Sequence, residues 1–209
     1  MRVKHLQKLI GAVEDGVIGK ETLSKFALKF ERNRVQTIHF FANIHHESGG
    51  FKIVRENMNY TAPRIMQIFG IGKHSARVTQ MEANHLAGKP YELAERVYGI
   101  GNPKMAKNLG NTKVGDGWKY RGGGSIQITG GWAYRHYGSK ELFDNPDLIA
   151  DSEYYFTTAI TYFDKRSIWR LAKDLSDESI NAVCKAINGG YNGLADRRRL
   201  THYYNSNWK

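Results

Sequence analysis

Cysteine is almost absent from this sequence: Cys184 is the only one in 209 residues, which excludes an internal disulfide. It lies in the apolar run Val183 to Ile187 and reads as a buried structural thiol. Long hydrophobic runs are missing too. No stretch approaches the roughly 18–20 uninterrupted apolar residues of a membrane span, and Met-Arg-Val-Lys-His-Leu-Gln-Lys at the start has no apolar signal-peptide region. The expectation is synthesis in the cytosol and, for action elsewhere, release by another route. Acidic residues are also short, 20 Asp+Glu against 31 Lys+Arg, giving +11 and a pI near 9.7. Such a surface seeks a polyanion. Nucleic acid, anionic lipid and the acidic polymers of a bacterial envelope all fit, and charge alone does not choose among them.

The 41% of hydrophobic residues suffices for a packed core, in one large domain or a domain with a small appendage. Leu6 to Phe30 reads as a short amphipathic helical region broken at Asp15-Gly16-Val17-Ile18-Gly19. Leu6-Gln7-Lys8-Leu9, that turn and Thr22-Leu23 resemble part of a peptidoglycan-binding repeat, although one Asp-Gly turn between helices is common. Residues 1–30 are read as a helical lead-in, with a vestigial wall-binding repeat as the alternative. Residues 31–209 are read as the main domain, with 61–110 as a smaller helical lobe.

The stretch 43–60 is the most informative. Val35 to His46 is apolar on nearly every side, without Pro or Gly, which predicts a buried helix. Glu47 follows, in line with Ile44, Asn43 and Phe40, and Gly49-Gly50 then stop the helix. A carboxylate on such a ridge is expected to be partly desolvated and to hold a proton near neutral pH. Glu56 has Arg55, Asn57 and Asn59 beside it, a polar setting expected to favour the ionised form. Either Glu alone reads as a cap or surface carboxylate; as a pair in contrasting settings they suggest acid and base.

Between 61 and 110 no chemistry is evident. Gly70-Ile-Gly-Lys-His74 is not a phosphate loop, since Gln67 stands where the first glycine is needed and His74 where Ser or Thr is needed. From Gly115 to Gly131 there are seven glycines in seventeen positions, mixed with Trp118 and Tyr120, so backbone here bends tightly or lies close to a ligand. Ser125 to Thr129 alternates polar and apolar, which predicts an extended segment with Ser125, Gln127 and Thr129 on one face, suited to a sugar or a positioned water. A glycine-rich hairpin is the alternative. A strongly apolar, buried helix is expected over 153–165 and further helices over 176–187 and 194–204, several ending at glycine-flanked polar residues as if lining one cleft.

His46-Glu47-Ser-Gly-Gly-Phe51, Glu56-Asn-Met-Asn-Tyr60, Gly117 to Gly130, and Ile187-Asn-Gly-Gly190 with Leu194-Ala-Asp-Arg197 together resemble glycoside hydrolase family 19, the chitinase-like fold. The likeness is strongest to its bacteriophage endolysins and prophage lysozymes and runs from about Val35 onward. It implies a mainly α, bilobal lysozyme-like fold with a substrate cleft between lobes, and inverting hydrolysis of β-1,4 links in an N-acetylated amino-sugar polymer, here bacterial peptidoglycan. Chitin is the alternative substrate. By this resemblance Glu47 matches the general acid and Glu56 the second carboxylate that activates water. Thr129 matches the hydroxyl that helps hold that water. Gln127 and Asn188 match sugar-contacting amides, and Arg197 a basic residue near the catalytic centre. Tyr60 and Ser125 belong to the same motifs and are assigned to substrate binding. The chemistry separates the two carboxyls by about 6.5–9.5 Å. The glycine loop reads Gly122-Gly123-Gly124 where the family has Gly-Arg-Gly, so a contact made there by arginine has to come from elsewhere, such as Arg121.

No cofactor or metal is expected, because Gly50 occupies the position of the second histidine in a His-Glu-x-x-His site. The expected partners are peptidoglycan, anionic envelope polymers and a separate holin-type pore through which the enzyme reaches the wall from the host cytoplasm. Nucleic acid is not expected, since no recognition motif accompanies the charge, and nothing demands more than a monomer. A wall-binding module without catalysis is the competing class.

Overall fold

The computed structural model describes residues 2–150 and 152–208. Thirteen α-helices occur among them. The first three are α1 (Arg2–Ile10), α2 (Lys20–Lys29) and α3 (Arg34–Glu47). Seven more follow: α4 (Ala62–Phe69), α5 (Gln80–Leu86), α6 (Pro90–Tyr98), α7 (Pro103–Leu109), α8 (Asp116–Lys119), α9 (Gly131–Tyr137) and α10 (Lys140–Asp144). The last are α11 (Ser152–Lys165), α12 (Asp177–Asn188) and α13 (Leu194–Asn207). Among the described residues pairing of extended backbone is limited to isolated bridges, and no helix is long and apolar enough to cross a membrane.

The chain divides into two compact units. The first comprises Met1–Val54, Gly124–Ile126 and Ile149–Lys209. α3 is its axis, and Thr37 through Ile44 are all buried, as an uninterrupted apolar helix requires. Asn33 and Gln36 form a capping box that starts it. α3 packs chiefly against α13, and also against α2 and α12. Around it Phe26 lies 5.0 Å from Phe40 and 4.9 Å from Phe41, while Phe40 meets Phe163 of α11 at 5.2 Å and Trp169 at 5.4 Å. Truncating one such ring to Ala costs about 3–5 kcal/mol.

The N-terminal helices belong to this core. α1 packs on α2 and α11, with Leu6, Leu23 and Phe26 fully buried. The Asp15-Gly16 turn between them is organised by a buried amide: Gln7 Nε2 donates to Asp15 Oδ1, the Val17 carbonyl and Thr22 Oγ1, and Gln7 Oε1 accepts from the Gly16 N–H.

The second unit comprises Arg55–Gly123 and Gln127–Leu148. One core is built from Ile65 and Phe69 of α4, Ala83 and Leu86 of α5, and Leu93, Ala94 and Val97 of α6, with Met58, Ala76 and Val78 between helices. A Thr79–Glu82 capping box starts α5. The Glu82 carboxylate also accepts from Arg96, which donates to the Ala76 carbonyl as well and so ties α5 and α6 together. α6 then fixes the glycine-rich segment, because both Glu95 carboxylate oxygens accept backbone N–H groups, from Gly115 at 3.0 Å and Trp118 at 2.8 Å.

Candidate active site

Glu47 is the last residue of α3, at the end of a ridge whose Phe40, Asn43 and Ile44 are buried as the sequence implied. Its surroundings differ from the apolar setting expected. α13 crosses here, and Arg197 from its first turn, itself 1% exposed, donates Nη2 to Glu47 Oε1 and Nη1 to Asn43 Oδ1. Asn43 is oriented for this because its Nδ2 donates to the His39 carbonyl one turn back. The carboxylate thus meets a buried guanidinium held from two sides. The reason is packing between helices 150 residues apart, which local pattern does not carry.

A second bridge runs beside the first. His46 Nδ1 lies 2.7 Å from Asp196 Oδ2, so neighbouring residues of α3 pair with neighbouring residues of α13. Gly193 makes the approach possible. Its φ is +70°, and a Cβ there would fall 2.1 Å from His46 Nε2, so the position excludes a side chain. His45 turns to Tyr204, Nδ1 to hydroxyl 2.7 Å, which places the vicinal histidines on different partners.

Glu56 lies in the second unit and is half-buried. Its N–H donates to the Gly122 carbonyl at 2.7 Å, Oε2 accepts from the Gly122 N–H at 3.4 Å, and Oε1 accepts from the Tyr98 hydroxyl at 3.0 Å. Burial pushes its carboxyl above the ordinary 4.5; the bonds from Tyr98 and Gly122 and the Arg121 charge pull the other way without prevailing. This corrects the expectation that its setting favours the ionised form. Arg55, one residue earlier, projects elsewhere, donating to the Tyr134 hydroxyl and to the Pro146 and Lys119 carbonyls. Asn57 is exposed and accepts from the Asn59 N–H. Neighbours in sequence along extended backbone point to opposite sides, so adjacency does not supply a partner.

A carboxyl whose folded value is raised adds no penalty below its unfolded value and costs stability once pH rises through the folded value. Glu56→Gln, which keeps the shape and an acceptor but removes the charge, is therefore expected to raise Tm by about 2–4 °C at pH 7. The gain vanishes below the ordinary value of 4.5. Thermal melts of both proteins at pH 4 and pH 7 check this.

The segment expected to be extended is a tight hairpin. Gly123 and Ile128 exchange both backbone bonds, at 3.1 and 2.9 Å, and the chain reverses between them with Gly124 at φ +74° and Gln127 at φ +52°. Period-two alternation therefore does not put Ser125, Gln127 and Thr129 on one face. Ser125 belongs to the first unit, fully buried, its N–H donating to the Tyr155 carbonyl and its Oγ unpartnered. Gln127 and Thr129 belong to the second, where Thr129 Oγ1 donates to the Gln127 carbonyl at 3.2 Å. Gly122 brings Gln127 and Glu56 together: a Cβ there would meet Gln127 Oε1 at 3.1 Å and Glu56 Oε2 at 3.3 Å.

The first unit thus holds Glu47, Arg197, Ser125 and Asn188, of which Glu47 and Arg197 are in contact. Asn188 ends α12, is exposed and donates to the Asn192 carbonyl. The second unit holds Glu56, Tyr60, Gln127 and Thr129. Tyr60 is half-buried, its hydroxyl raised by burial and then by the Glu56 charge. Two residues escaped sequence reasoning. Tyr98 is 42 positions from Glu56 and lies in a stretch without apparent chemistry. Asp196 was visible only as a motif letter. Arg121, stacked 3.6 Å over Trp118, supplies a cation near Glu56 that the all-glycine loop lacks.

No family model matches the chain. A curated protein of Haemophilus influenzae, described as a glycosyl hydrolase family 19 domain-containing protein, is 33% identical over 173 residues, covering 80% of this chain and 78% of that one. Among solved structures, chitinase C from Streptomyces griseus superposes with a TM-score of 0.50 at 14% identity, over 99% of this chain and 91% of that one. A mutant of chitinase C gives 0.51 at 13% identity with the same coverage. At such identities the likeness is one of fold, and it bears out the mainly helical chitinase-like class read from the sequence.

Proposed function

The chain belongs to glycosyl hydrolase family 19 and is a glycoside hydrolase, and on that premise we propose that it cuts β-1,4 links of bacterial peptidoglycan by an inverting acid/base mechanism. The observation that carries the mechanism is that both carboxyls matching the family's acid and base are held in fixed orientations: Glu47 by the buried Arg197, and Glu56 at both oxygens by Tyr98 and the Gly122 N–H.

Glu47 gives its proton to the glycosidic oxygen as the bond to the anomeric carbon breaks. The negative charge left on Glu47 develops beside Arg197, which Asn43 has already oriented, so the stabilisation requires no rearrangement at that moment. A water attacks the opposite face of the sugar and loses a proton to Glu56, whose raised affinity makes it a stronger base than a free carboxylate once ionised. Thr129 holds that water. Gln127, Asn188 and Tyr60 contact the sugars, whereas Ser125 is fully buried in the first unit. Solvent then reprotonates Glu47 and takes the proton from Glu56.

The substrate choice rests on charge. At +11 the protein is drawn to an anionic wall, whereas chitin is neutral and gives such a surface nothing to meet. The biological role that fits is lysis of a host cell, with a holin-type pore admitting the enzyme to the wall. The test is reducing-end release from purified peptidoglycan and from colloidal chitin at 50 and 300 mM salt. Faster release from wall, slowed by salt, is expected. Faster release from chitin, indifferent to salt, would make the protein a chitinase.

A further inference from the structure

Glu56 is faced by groups from several elements of its unit. Tyr98 comes from the end of α6, Tyr60 from the segment before α4, Tyr134 from α9, and Arg121 from the loop after α8. Of these, Tyr98 supplies the side-chain hydrogen bond to Oε1, while the Gly122 N–H supplies the bond to Oε2. The tyrosine is itself held in place. Its ring packs against Phe69 at 6.3 Å and His74 at 6.5 Å, and its carbonyl accepts from Asn111 Nδ2 at 2.9 Å. One turn earlier on the same helix, Glu95 anchors Gly115 and Trp118, and Trp118 carries Arg121. Two of the groups that bear on Glu56 thus depend on α6.

We propose that Tyr98 is a positioning residue for hydrolysis: its hydroxyl fixes the orientation of the Glu56 carboxylate and keeps that carboxylate available to the attacking water. The proposal rests on Glu56 being the base, as set out above. A tyrosine hydroxyl in this setting acts as donor, since burial and the Glu56 charge hold its own ionisation well above the usual range. Donation favours the charged carboxylate and opposes the burial that disfavours it. Removing the hydroxyl leaves burial less opposed, so Glu56 keeps its proton to higher pH.

The test is Tyr98→Phe, which retains the ring, followed in two ways on the whole chain. One is the 13C titration of the Glu56 carboxyl in protein labelled at Glu side chains, assigned with Glu56→Gln. The other is the pH profile of kcat and KM on purified peptidoglycan. The expected result is a Glu56 midpoint and an acidic limb that both move up in pH. Activity then falls about 10-fold at pH 5 but less than about 3-fold at pH 8, mostly in kcat. In the Glu56→Gln background the substitution should no longer move the profile. An unmoved midpoint overturns the proposal. A moved midpoint with an unmoved acidic limb overturns instead the assignment of Glu56 as base.

Discussion

Glu47→Gln is expected to lower kcat on peptidoglycan by about 10²–10⁴-fold with KM little changed. The amide has nearly the same shape, and its oxygen still accepts from Arg197, so α3 and α13 remain joined and sugars still dock. What disappears is the proton. A glycosidic oxygen is a poor leaving group unless protonated as it departs, and glutamine cannot supply that proton. The loss should therefore be one of rate, with sedimentation of the variant on purified wall unchanged. A wall-binding module without catalysis makes the opposite claim, that wild type and variant are equally inert. A kcat within about threefold of wild type would remove Glu47 from the acid's position.

Arg197→Ala is expected to cost about 3–5 kcal/mol of stability, or roughly 10 °C in Tm for a chain of this length. Arg197 heads the largest fully buried side chains and serves two partners. Truncation leaves Asn43 Oδ1 without its donor at a position 3% exposed, strips Glu47 of its counter-charge and opens a cavity where α3 meets α13. Replacing a paired group leaves its partner to bear the desolvation, which is why breaking such a pair costs far more than the pair contributes. Arg197→Lys keeps the charge but not the planar fork that spans Asn43 and Glu47, so an intermediate loss is expected. Melts followed by circular dichroism measure both. A drop of less than about 2 °C for Arg197→Ala would mean that the bridge does not organise this end of α3.

Much of this arrangement was legible in the chain. The uninterrupted apolar run before Glu47 and the Gly49-Gly50 stop led directly to a buried α3, because burial on all sides leaves no amphipathic ambiguity. The later helices fell within a few residues of expectation: α11 is another apolar run, and Gly189 after Asn188 stops α12. The environments of the two carboxyls were not legible. Arg197 reaches Glu47 across 150 residues and Tyr98 reaches Glu56 across 42, and neither contact leaves a local pattern. Reading Arg55 as the partner of Glu56 failed because adjacent side chains diverge. The 125–129 segment failed differently: its period-two alternation was real, but a left-handed Gly124 and Gln127 turn the chain back within it. Glycine density at 115–131 was the better guide there, and it pointed to the hairpin.

The most direct measurement is mass spectrometry of the soluble fragments released from purified peptidoglycan by wild type and by Glu47→Gln. The account predicts glycan fragments cut between sugars, each cleavage adding one water, with the stem peptides intact and almost nothing released by the variant. Fragments cut at peptide bonds, or equal release by the two proteins, would contradict it.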